Sequence, residues 1–534
     1  MSSFAAGLMT TPSGMASIVP PLWRGLSVEQ TAACGRIGRA ARVLYSTDYQ
    51  RTLKNAYRAV FFALALTAAS CASRAPIASS PAVPQSHDDV AALLRHGCYR
   101  CLEKAFAEAQ ARGARDLAFE AAALLVLRSK ELGLPYAGWM DFAQSLAGPE
   151  SKPVLTMIEA MPLDPLSGDP DAVLNFSGRI HARTSMSAWR DLLQHGPWSE
   201  LFRAYLDVSL VCAFGRLLEN DESFTGPLDA VAEAPLYQYR IGICDRQQWQ
   251  RLTAFRERHP DYVDADFPLG RSAFEDPVNP DHEEGLRRLE SAVEAFPGSP
   301  AIGTTIGNVY RAWEEWESAL DAYDRVIAIA PDHPEALLGR TVSLSRLGRS
   351  NEAIATATRV IDGGRWRLGE AYYWRGWNHL VRGDAVAARG DADRAKRLMA
   401  NAAVFVLSGA IEWRLQRREE AEKEFEQALL MDLGECEAAF NLGVVRDELG
   451  KMPEAAAAFT QARQCYDLSI ALRRDAIAKI RSGPGNEATK TRAAALHERA
   501  LQDHEARRNE ALRLLEHVRK RSRTAGQGVH QPRL

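Results

Sequence analysis

The chain has 534 residues, 46% of them hydrophobic and 25% charged, and a net charge of −3 at pH 7. That balance supplies sizeable apolar cores, and the near-neutral charge removes any global electrostatic case for nucleic acid as a partner. Only the tail is basic, through Arg507, Arg508, Arg513, Arg519, Lys520, Arg521 and Arg523, and such a run reads as a solvated helix face.

Residues 1–50 open with MSSFAAGLMTTPSGMASIVPPLWRG, whose scattered Gly, Pro, Ser and Thr read as disorder. Residues 51–71 differ. From Ala59 to Ser70 the chain is apolar apart from Thr67 and Ser70. That is about a dozen residues against the roughly 20 a spanning helix needs, so the stretch suits the apolar region of an export signal. Arg51, Lys54 and Arg58 form its positive flank, and the small residues Ala68, Ala69 and Ser70 lead into Cys71. The segment resembles a bacterial lipobox, with Ala68 where Leu is commoner. The resemblance implies that Cys71 is lipidated and becomes the mature N-terminus, and Ala72 after it is compatible with sorting to an outer membrane. The expectation is then that translation starts downstream, at Val43 or Leu53, leaving residues 1–50 disordered or untranslated. Residues 72–87, ASRAPIASSPAVPQSH, are rich in Ala, Ser and Pro without helical period and read as a flexible tether.

Residues 88–265 read as a diverged helical region. Gly97, Leu102, Phe106 and Ala109 stand at helical spacing and put CYRC, Cys98 to Cys101, at a helix start. AFEAAALLVLRSKELG predicts the next helix, ending at Gly133. Pro149 to Pro170 is loop-like, and helical pattern returns from Trp189 to Phe214. Of eight cysteines, six remain if Cys71 is the lipidated start, which leaves 15 possible pairings. Cys98 and Cys101 are open to three readings: structural cysteines that are buried or disulfide-bonded, a redox pair, or part of a metal site. No second CxxC and no following His support haem or a four-cysteine metal site.

Residues 266–469 carry a repeat. In PAIGTTIGNVYRAWEEWESALDAYDRVIAIAPDHP, counted from Pro300, Ile306 and Gly307 fill positions seven and eight, Tyr310 position 11, Ala319 position 20, Tyr323 position 24 and Pro331 position 32. The pattern returns from Pro334, near Gly369, from Ala402 and from Cys436, and a second helix with Gly285, Leu289, Ala292 and Pro297 precedes it. The first helix of that leading unit is expected to be missing, because DFPLGRSAFEDPVNP carries many breakers. The array resembles the tetratricopeptide repeat (TPR), with its 34-residue period, and Gly97 to Ala109 matches the spacing of its second helix. The resemblance implies an all-α, TPR-type α-solenoid of antiparallel helix pairs that stack into a continuous core with a concave groove. PEAAAAFTQARQCYDLSIALRRDAIAKIRSG predicts a helix from Pro453 to Ser482; with Ala488 to Arg523 it makes a long C-terminal helical hairpin over 470–523, before a disordered tail at 524–534.

No catalytic or cofactor motif emerges. GPGNEATKT lacks the glycines and preceding strand of a phosphate loop, and Asp261, Asp264 and Asp266 lack the rest of a calcium loop. No enzyme activity and no metal or cofactor is expected. The TPR resemblance implies binding in the groove, at Thr304, Asn308, Arg311, Val342, Arg346, Val406, Trp413, Arg414, Phe440, Val444, Asp447 and Glu448. Asn308 matches one position of the carboxylate clamp of chaperone-binding members, but Gly339 stands where a second Asn is needed, so that clamp is not expected. The reading is a lipid-anchored periplasmic scaffold of the bacterial outer membrane. It would hold protein or peptide partners, and not nucleic acid, in envelope assembly. The alternatives are a thiol redox protein using Cys98 and Cys101 and a ligand-binding component associated with a transporter.

Overall fold

The computed structural model describes residues 90–161, 188–189, 191–214, 229–244, 249–275, 281–364, 367–483 and 487–527. The segment 1–50, the signal 51–71 with Cys71, the tether 72–87 and the last residues of the 524–534 tail lie outside the described residues. Those described form 22 α-helices and one 3-10 turn, with no strand among them. None of these helices is long and apolar enough to cross a membrane.

The first group comprises α1 (Val90–His96), α2 (Tyr99–Ala111), α3 (Arg115–Leu132), α4 (Ala137–Leu146), α5 (Lys152–Ala160), α6 (Glu200–Phe214), α7 (Asp229–Ala232), α8 (Pro235–Cys244) and α9 (Trp249–Arg258). The repeat pairs follow: α10 (Asp266–Glu275) with α11 (His282–Ala295), α12 (Pro300–Ala312) with α13 (Trp316–Ile329), and α14 (Pro334–Arg346) with α15 (Ser350–Gly363). Next come α16 (Leu368–Val381) with α17 (Ala385–Leu398), α18 (Ala402–Arg414) with α19 (Arg418–Met431), and α20 (Cys436–Glu448) with α21 (Met452–Ser482). The last helix is α22 (Glu487–Gln527), antiparallel to the end of α21.

Local chemistry starts and stops these helices. Ser299, Asp281, Asp384 and Asn401 each accept a backbone N–H of the turn they open, and Pro300 occupies the first turn of α12, where no partner for its missing N–H is needed. Between the two helices of each of the five pairs from α12 to α21 the chain turns through the left-handed region. Gly348, Gly383 and Gly450 do so at φ +73°, +86° and +75°, and Glu314 and Gln416 take the same place at φ 59° and 63°.

Packing follows the repeat. A Cβ on Gly307 or Gly339 would lie 2.5 or 2.3 Å from the Tyr323 ring, so the ring sits between successive first helices only because both lack one. Phe425 against Gly409 and Phe459 against Gly443 repeat the contact made within a pair. The leading pair differs from expectation: its first helix is present as α10. Pro268 falls in the first turn, where backbone N–H groups have no helical acceptor, and Gly270 lets α10 meet Gly285 of α11 at backbone distance. The other prolines lie beyond Glu275.

The first group packs onto the array. One apolar core runs from Val90 through α3 to Ile302 and Trp313, and Gly133, at φ +65°, is closed over by Ala301. Inside it Arg128, fully buried, pairs with Glu131 and Asp264 and lies 3.9 Å from the Tyr239 ring centre. Arg240 joins Glu131 at 2.8 Å, and the Tyr205 hydroxyl donates to Glu131 at 2.9 Å.

Candidate functional site

First helices of the array carry the residues named for the groove, and the structure separates them into sets. Thr304 and Val342 are buried in the stack. Asn308 donates to Glu335 at 3.0 Å and accepts from the Tyr323 hydroxyl at 2.8 Å, so it ties two repeats together. Arg311, half-buried, lies beside Tyr323, whose hydroxyl burial pushes up to about 12. Arg346 is held between the rings of Trp316 and Trp374, each 5.5 Å away, and burial depresses its pKa. Trp413 donates its indole N–H to Glu448 at 2.9 Å under the Arg418 guanidinium, and Glu448 also pairs with Arg418. Val406 is half-buried beside the core of the last repeats, and Arg414 is exposed.

The third set, Phe440, Val444 and Asp447 on α20, meets α22. Arg507 stands 5.6 Å above the Phe440 ring and 3.5 Å from Glu437. Leu514 and Val444 pack on the same apolar cluster, and Arg521 closes on Asp447 at 2.7 Å. The other end of α22 reaches the front of the array. Arg492 lies 4.0 Å above the Trp313 ring and pairs with Glu283 and Glu315, while Arg499 pairs with Glu314 at 3.3 Å. Arg492 to Arg521 spans roughly 44 Å at about 1.5 Å per residue, so one helix bridges the first and last repeats. The basic tail is therefore only partly a solvated face: Arg507 and Arg521 are aimed at the array, whereas Arg513 points outward to Glu510 of its own helix. The apolar residues Leu496, Leu501, Leu512, Leu515 and Val518 are legible in the sequence of this segment, but the surface they meet is dozens of residues away and is not.

Cys98 is the N-cap of α2 and is bonded to Cys101 in the helix's first turn. A second disulfide, Cys436–Cys465, ties the two helices of the last repeat together. The three aspartates of 261–266 are turned to different partners. Asp261 pairs with His96 at 3.1 Å, Asp264 with Arg128, and Asp266 with Arg256 and Arg288.

A helical-repeat solenoid whose glycine and aromatic positions recur at the pair period defines a helical-repeat scaffold. Residues 304–365 and 409–470 match the family model described as tetratricopeptide repeat, so the chain carries TPRs. Similar solved structures include a TPR protein from Parabacteroides merdae ATCC 43184, 15% identical, covering 47% of this chain and 90% of that one with a TM-score of 0.34. Yeast Tom70 is 11% identical over 80% of this chain and 90% of its own, with a TM-score of 0.32. The Cut9–Hcn1 heterotetramer of the APC/C is 16% identical over 80% and 84%, with a TM-score of 0.32. These likenesses are of fold alone. No curated protein matches the chain.

Proposed function

We propose that the chain is a lipid-anchored, periplasm-facing TPR scaffold that holds protein segments, and that the segment its groove takes is an amphipathic helix with basic residues. The seat of α22 on α20 carries this reading: Phe440 and Asp447 take the guanidinium groups of Arg507 and Arg521, and Leu514 from the same helix face shares an apolar cluster with Val444. That is helix-in-groove recognition with charge fixing the register. The resident helix sets the chemistry of a partner that replaces it or continues its path. The partners are proteins or peptides rather than nucleic acid, and the role is non-catalytic recruitment during envelope assembly.

The anchor rests on Cys71 and on the Ala/Ser/Pro tether after it. Two disulfides, Cys98–Cys101 and Cys436–Cys465, favour an oxidising compartment such as the periplasm. Anchoring raises local concentration, so a groove of modest affinity suffices. Globomycin treatment and Cys71→Ser test the anchor by mass spectrometry: globomycin is expected to leave the signal uncleaved on a chain already lipidated at Cys71, and Cys71→Ser to leave the signal uncleaved and the chain without lipid. A wild-type chain that retains residues 51–70 and an unmodified Cys71 would contradict it.

A further inference from the structure

The Cys98–Cys101 disulfide does not sit alone. His96, in the last turn of α1, points Nδ1 at Cys101 Sγ from 3.4 Å and Nε2 at Asp261 Oδ2 from 3.1 Å. A carboxylate on Nε2 holds the proton there and leaves Nδ1 free to accept one. Cys98 is buried at the N-cap of α2, and its sulfur accepts the Cys101 backbone N–H at 3.2 Å. Cys101 is only half-buried. The Tyr99 N–H in the same first turn donates to the buried Asp264 at 2.9 Å, which fixes the turn from the inside. Gly97, at φ +70° and with Leu236 where its Cβ would be, sets the sharp passage from α1 to α2 that brings His96 over the sulfurs. One sulfur is thus reachable and faces a base, and the other is sheltered where a helix N-terminus stabilises negative charge.

We propose that Cys98–Cys101 is a thiol–disulfide exchange site whose substrate is a pair of cysteine thiols on another protein, with His96 as the proton acceptor and Asp261 as its positioning residue. His96 Nδ1 takes the proton of an incoming thiol. The resulting thiolate attacks Cys101 Sγ, a substrate–Cys101 bond forms, and the Cys98–Cys101 bond breaks with its electron pair on Cys98. The second substrate thiol loses its proton to water and attacks the substrate sulfur of that mixed disulfide. The substrate disulfide forms and Cys101 leaves as a thiolate, which recovers the proton from His96, while Cys98 takes one from water. The substrate loses two electrons and two protons, and the cysteine pair gains both. A second disulfide, low-molecular-weight or protein-borne, restores the pair by the reverse exchange. The array would then hold a partner while its thiols are exchanged, an activity separate from holding it.

The test uses the full mature chain and glutathione as probe. Samples are quenched with an alkylating agent at intervals, and each disulfide is read by peptide mass spectrometry. The proposal expects Cys98–Cys101 to exchange with reduced glutathione roughly tenfold or more faster than Cys436–Cys465 in the same molecule. With oxidised glutathione as the probe, Cys98→Ser, which keeps a hydroxyl at the N-cap, should hold glutathione on Cys101 as a mixed disulfide, and Cys101→Ser should leave Cys98 unmodified. His96→Gln should slow the exchange roughly tenfold or more with an unchanged circular dichroism spectrum. Asp261→Asn should slow it less. Equal rates at the two disulfides, an adduct on Cys98 in preference to Cys101, or a wild-type rate in His96→Gln would overturn the proposal. So would tight binding of zinc by the reduced chain through His96, Cys98 and Cys101, which would make the cluster a metal site instead.

Discussion

At the turn between the helices of each of the five pairs from α12 to α21, one residue takes positive φ. Gly348, Gly383 and Gly450 do so freely, whereas Glu314 and Gln416 bear a Cβ there. A left-handed non-glycine residue costs roughly 1–2 kcal/mol, partly offset by the extra unfolded-state entropy of glycine. Gln416→Gly is therefore expected to raise stability by about 0.5–1 kcal/mol, and Gly348→Ala, which meets no neighbour, to lower it by about 1 kcal/mol. Urea melts of the two variants check both signs. A larger effect belongs to Arg128. Its removal in Arg128→Met leaves Asp264 with the Tyr99 N–H but no cation, and Glu131 with Arg240 and the Tyr205 hydroxyl, and breaking such a buried pair costs about 3–5 kcal/mol. Two histidines set an acid limit. Burial, with Arg473 nearby, holds the His497 pKa below its ordinary value, and burial does the same to His282, with Asp281 opposing. Above about pH 6.5 both are neutral, folded or unfolded, and cost nothing. As the pH falls below that value the unfolded chain binds protons that the folded one refuses, so stability drops. The melting temperature should be flat above about pH 6.5 and fall below it, with a shallower fall in His497→Gln; a melting temperature that rises on acidification would contradict this sign.

Which elements were legible follows from how local their causes are. The glycine–aromatic pairs Gly307–Tyr323, Gly409–Phe425 and Gly443–Phe459 lie 16 residues apart, inside one helix pair, so the repeat could be read along the chain. The long α21 was legible for the same reason, since nothing breaks its pattern before Gly483. Helix α10 was not. Pro268 looks like a breaker until its place in the first turn is known, and Gly270 looks flexible until Gly285 is seen against it. The site was less legible than the fold. Repeat register placed Phe440, Val444 and Asp447 on the face that meets α22, but it also named Thr304 and Val342, which packing buries. That Asp261 holds His96 against Cys101 follows from contacts between α1 and the loop after α9, far apart in sequence. The hairpin gives an element-level prediction. Leu514→Glu and Arg521→Glu should each raise hydrogen exchange across residues 500–527 without altering α12 to α19, because they remove contacts to α20 and α21 alone. Unchanged exchange there would show that these contacts do not hold α22.

The described residues combine a continuous α-solenoid with a helix that bridges its first and last repeats and cationic side chains seated on its acidic and aromatic positions. Each repeat is weak alone and stable by stacking, and α22 fixes the separation of the ends, so the array presents a defined face rather than a spring. The most direct test of a membrane-held scaffold with a helix-accepting groove compares wild type, Cys71→Ser and Arg521→Glu in fractionated cells, with captured proteins identified by mass spectrometry. The account predicts wild type in the outer-membrane fraction with a defined partner, and Cys71→Ser released from that fraction. It also predicts that Arg521→Glu, with Asp447 freed, captures more of the same partner. A soluble wild-type chain, or an Arg521→Glu variant that captures no more than wild type, would contradict it.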